Sequence, residues 1–160
     1  MDGIACTTVA AASPAPLPFR IPAGQRIPPL ALALDDQSPG RARRHTVTRA
    51  LQLGATPDQA HDAALIACEL VTNAIEASLT PTGPSRRVPV KLWVSDAGAC
   101  VLIEVHDYAA GIPALADVAD GAEDGRGLRL VDALSEEWGW CPLSEGCKRV
   151  HALVPKATQA

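Results

Sequence analysis

The sequence predicts one α/β domain behind a non-helical tail, on three observations. Ser38-Pro39 and Thr56-Pro57 each place proline in a first helical turn, and each opens a stretch suited to a helix. Two alternating apolar runs, 88–95 and 100–106, flank Asp96-Ala97-Gly98 as the arms of a hairpin would. Beyond them Gly127 to Leu134 reads as a third helix, and 138–141 and 148–154 as two further strands.

Residues 1–26 are rich in Ala, Pro and small polar residues, and Pro14, Pro16, Pro18 and Pro22 preclude regular helix. A disordered extension is expected there, with the folded domain over 27–156. The run Leu30-Ala31-Leu32-Ala33-Leu34, bounded by prolines and Asp35-Asp36, suits a first strand. Ser38 is the expected N-cap of the first helix and Gly54 its stop. Its Arg41, Arg43, Arg44 and Arg49 form either a solvated basic face or a surface for an acidic partner.

Thr56 followed by Gln59 makes a capping box for the second helix, and Ala60, Ala63, Ala64, Ala67, Leu70, Val71, Ala74 and Ile75 keep helical spacing after it. Pro81-Thr82-Gly83-Pro84 breaks the chain before the hairpin. Residues 112–124 are small, acidic and glycine-containing, and read as a mobile loop.

With 160 residues the chain can bury a sizeable core without disulfides or a structural metal. Its net charge of −4 gives no electrostatic footprint for nucleic acid. The five cysteines are odd in number and scattered without a CxxC, so neither a disulfide framework nor a zinc site follows. Reduced thiols, no apolar run of membrane-spanning length and no basic leader make a cytoplasmic protein the expectation.

The chemistry lies in three places. Glu69 and Asn73 are four residues apart on the second helix and so share one face. Asn73 can supply an amide oxygen to Mg2+, which keeps oxygen ligands and waters, and Glu69 would then stand one turn away as a proton acceptor. Asp107 closes an apolar strand, where a carboxylate can accept from the exocyclic amine of adenine but not from the carbonyl of guanine. Gly111 would admit a base or ribose to the backbone, although an aspartate and a glycine at a strand end also make an ordinary turn. Gly125-Arg126-Gly127-Leu128 opens the third helix with backbone amides and a guanidinium suited to phosphate. The chain holds neither GxGxxG nor GxxxxGK[ST], which disfavours Rossmann and P-loop folds.

The order Glu69-Leu70-Val71-Thr72-Asn73-Ala74, Asp107 with Gly111, then Gly125-Arg126-Gly127-Leu128 with Val131 resembles the N, G1 and G2 boxes of GHKL-type ATPases. It is most similar to anti-sigma-factor serine/threonine kinases of the actinobacterial type, over roughly Leu30 to Val154. The resemblance implies a two-layer α/β sandwich, a mixed but mainly antiparallel sheet with helices on one face, and ATP held under a lid at 112–124. By motif position it implies Glu69 as catalytic base, Asn73 as magnesium ligand, Asp107 as adenine reader, and Gly111, Gly125 and Gly127 as nucleotide-contacting glycines, with Arg126 and Leu128 beside them.

Proteins of this type phosphorylate a serine of an anti-anti-sigma partner and can sequester a sigma factor. The alternative is a non-catalytic module that senses ATP or sequesters a partner. Sheet-edge or helix pairing could each give a homodimer. The chain departs from the pattern at Ala109, where Gly or Ser is frequent, and at Ala77, where histidine is frequent. It departs again on the last strand, where Arg149 or its neighbour replaces a threonine. His45, His61, His106 and His151 lack metal-ligand spacing, and Cys68 has no accompanying nucleophile motif.

Overall fold

The computed structural model describes residues 7–8, 27–80, 83–84, 87–109, 126–143 and 146–157. Strands β1 (Thr7–Thr8), β2 (Leu30–Leu32), β3 (Val90–Ala97), β4 (Cys100–Asp107), β5 (Glu137–Pro142) and β6 (Lys148–Pro155) form one sheet in the order β1-β5-β6-β4-β3-β2. All five pairings are antiparallel. Helices α1 (Ser38–Gln52), α2 (Pro57–Ser78) and α3 (Arg126–Leu134) complete the α/β sandwich. Of the expected tail, only the backbone pairing of Thr7–Thr8 with Trp140 and Gly139 falls within the described residues.

The α2 start follows the capping box. The Gln59 backbone N–H donates to Thr56 Oγ1 at 3.3 Å, and the Thr56 N–H donates to Gln59 Oε1 at 2.9 Å. The α1 start differs from expectation. Gln37, not Ser38, is the N-cap and makes no side-chain cap bond. Asp35 Oδ1 instead accepts from the backbone N–H of Gln37 and Ser38, at 3.1 and 2.9 Å, in an Asx turn one step upstream. Ser38 is thereby drawn into the helix and buried. Gly54 ends α1 as expected, at φ 91°, and the next amide, from Ala55, returns to the Ala50 carbonyl at 3.0 Å.

Period-two alternation divides the sheet. Val101, Ile103 and Val105 of β4 and Val150, Ala152 and Val154 of β6 join the core formed with α1, α2 and α3. Ala42, Ala50, Ala60, Ala63 and Ala67 are buried in that core, and their small side chains let α1 lie close against α2. The other parity carries Leu102 and Leu153 with Cys100, and beside them a polar group. Glu104 is 1 % exposed and approaches Arg149 Nη1 at 3.4 Å and His106 Nε2 at 3.9 Å. The His106 ring lies 4.3 Å from that of Trp93.

The hairpin turn is also legible in its residues. Asp96 Oδ1 accepts from the Gly98 N–H at 3.0 Å, and Gly98 takes φ 71°, which glycine adopts without strain.

Candidate functional site

Helix α2 presents Glu69 and Asn73 one turn apart, both half-buried. Among the described residues neither side chain makes a hydrogen bond or an ion pair, so both are available to a ligand. Gly127, the second residue of α3, faces Glu69 so closely that a β-carbon there would collide with Oε2 of the carboxylate. Two segments predicted to share a site are therefore in contact. Leu128 and Val131, on the same turn and the next, are buried in the core and dock α3 against α2. Arg126 is the first residue of α3. Gly111, Gly125 and the expected lid at 112–124 lie outside the described residues.

Asp107 ends β4 and is 2 % exposed. Its Oδ1 accepts from the Ala109 backbone N–H at 2.8 Å and from Lys148 Nζ at 2.7 Å. Lys148 Nζ also donates to the Ala109 carbonyl at 2.8 Å. Ala109, where the sequence departs from the family pattern, is itself buried, and both its backbone polar groups are used in this clamp. Helix α2 packs across β4, the strand that delivers Asp107.

The two neighbours proposed to replace a threonine on the last strand are now distinguished. Lys148 is registered against Asp107, whereas Arg149 is registered against His106 and reaches Glu104 on the opposite face. Lys148 was the residue that motif reading left unnamed. Its signal was parity: it shares the strand face of the core positions Val150, Ala152 and Val154, and an inward lysine demands a buried acceptor.

Nearby thiols register the same charges. Burial, then the negative Glu69, pushes the Cys68 thiol up, with Arg43 opposing. Burial, then Asp107, does the same to Cys147.

A family model described as the histidine kinase-like ATPase domain matches residues 34–151, from just after β2 into β6. The chain belongs to the histidine kinase-like ATPase domain family. No curated protein matches it significantly. Membership implies an ATP site, typically used with Mg2+, and the donor set fits that ligand. Asn73 offers a neutral oxygen without a partner among the described residues, a ligand suited to a hard cation that shares its shell with phosphates. Asp107 offers a second carboxylate oxygen, Oδ2, which among the described residues accepts no hydrogen bond. No described helix is long and apolar enough to cross a membrane.

Proposed function

We propose that this histidine kinase-like ATPase domain is a protein-serine kinase of the anti-sigma-factor type, which transfers the γ-phosphate of ATP to a serine of an anti-anti-sigma-like partner. The observation that supports this most is the pairing on α2 of a carboxylate, Glu69, and an amide, Asn73, which are unengaged among the described residues, with Glu69 directly against Gly127 of α3.

In this reading Glu69 takes the proton of the attacking serine hydroxyl as its oxygen bonds to the γ-phosphorus. The bond from that phosphorus to the β–γ bridging oxygen breaks, and ADP departs with the electron pair. Asn73 would hold Mg2+, which when bound offsets charge on the phosphates. Asp107 accepts from the adenine exocyclic amine, and the start of α3, Arg126 to Leu128, offers backbone amides to the phosphates. A sigma factor would be a second, sequestered partner.

Calorimetric titration with ATP and GTP, with and without magnesium, followed by phosphate transfer to a candidate partner, tests the reading. Magnesium-dependent ATP binding absent for GTP is expected. Glu69→Gln should slow transfer by roughly 10²–10⁴-fold, to a residual rate, while leaving ATP affinity within about threefold, because the group acts only in the transition state. Transfer unchanged by that variant refutes the base assignment. ATP binding without transfer to any partner supports the non-catalytic sensing module instead, and absence of ATP binding removes both.

A further inference from the structure

We infer that Lys148 reads the nucleotide base directly, donating a hydrogen bond to ring nitrogen N1 of the adenine whose exocyclic amine is accepted by Asp107. The inference rests on the ATP site proposed above and deepens it.

An ammonium carries three N–H donors. Two of those on Lys148 are used, by Asp107 Oδ1 at 2.7 Å and by the Ala109 carbonyl at 2.8 Å. Oδ1 in turn receives both Lys148 and the Ala109 N–H, so it is occupied and fixed in place. What the pair still offers is one N–H on Lys148 and, among the described residues, the free acceptor Oδ2 of Asp107. These two open positions belong to groups already in hydrogen-bond contact, so they are adjacent in space.

A donor beside an acceptor complements the edge of adenine, where N1 accepts and the neighbouring amine donates. Guanine placed the same way presents its carbonyl to the carboxylate and its N1–H to the ammonium, so both contacts become repulsive. Cytosine offers the same pair of atoms as adenine on a smaller ring, and the discrimination is therefore against guanine.

Burial sharpens the argument. The Lys148 and Asp107 side chains are 11 % and 2 % exposed, so little water is available to replace a mismatched partner. The clamp also has no slack, because the same ammonium pins the Ala109 carbonyl and thus the turn that follows Asp107. A lysine serving only to neutralise Asp107 would need the ion pair but would be indifferent to N1 of the base.

The test is a ligand-side deletion on the intact chain: titration of wild type and Lys148→Met with ATP and with 1-deaza-ATP, which lacks the N1 acceptor. Wild type should bind 1-deaza-ATP roughly tenfold more weakly than ATP, the loss of one charge-assisted hydrogen bond. In Lys148→Met the two ligands should bind alike. Equal affinity of wild type for ATP and 1-deaza-ATP overturns the inference while leaving the ATP site standing. Failure of wild type to bind ATP overturns the site itself and the inference with it. Should Lys148→Met fail to fold, the wild-type ratio still decides.

Discussion

Gly127 is where a single methyl group should report on the candidate site. The atom that an added β-carbon would strike is Oε2 of Glu69, the far end of a flexible side chain, so the fold can yield by turning the carboxylate away. Gly127→Ala is accordingly expected to leave the urea midpoint nearly unchanged, since alanine also favours the helix by up to about 1 kcal/mol over glycine. Phosphate transfer, which needs Glu69 in one orientation, should fall at least tenfold. In a Glu69→Gln background the same substitution should have little further effect on transfer, because the two act on one group. Independent, additive losses in the double variant would mean that Gly127 does not act through Glu69. Asp107 stands in the opposite situation: its Oδ1 is fixed by Lys148 and Ala109, so the carboxylate arrives already oriented.

At the scale of elements, α2 is both the chief core helix and the carrier of Glu69 and Asn73, and its first turn can be weakened without touching either. Thr56→Ala removes the acceptor for the Gln59 N–H and half of the capping box, and should cost about 1 kcal/mol in urea unfolding. ATP affinity should stay within twofold, and a larger drop would show that the helix start is coupled to the site. This element was legible in sequence because its signals are local: Thr56, Pro57 and Gln59 lie within one turn, and the apolar spacing follows directly. The hairpin was legible for the same reason, through Asp96 and Gly98. The α1 cap was not, because Asp35 and Ser38 are both capping residues and only the path of the chain decides between them. Lys148 was missed for a different reason. Its partner Asp107 is 41 residues away, and the β4–β6 register that joins them is a tertiary fact. Glu69 and Gly127 could be grouped by motif order, but their direct contact belongs to the packing of α3 on α2.

Across the whole molecule, the thiols tie stability to alkaline pH. Among the described residues the cysteines form no disulfide, and Cys68, Cys100 and Cys141 lie on α2, β4 and β5. Cys100, at the start of β4, is pushed up to about 11 from 9.0, first by burial and then by Glu136, whose Oε2 accepts its S–H at 3.2 Å. Cys68 and Cys147 are shifted the same way, again by burial first. The consequence follows from proton counts. Below pH 9.0 the Cys100 thiol is protonated in both the folded and unfolded chain, so its contribution is constant. Between 9.0 and about 11 the unfolded chain releases this proton while the folded chain keeps it, so the folded state binds more protons and stability falls as pH rises. Other groups also titrate in that range, and a difference measurement isolates the thiol. Urea midpoints of wild type and Cys100→Ala, compared from neutral pH to about 10.5, should converge as pH rises, because the variant lacks the ionisation that favours unfolding. Parallel curves would mean that the Cys100 proton is held equally in both states, and that the burial of β4 against Glu136 does not reach the alkaline stability of the fold.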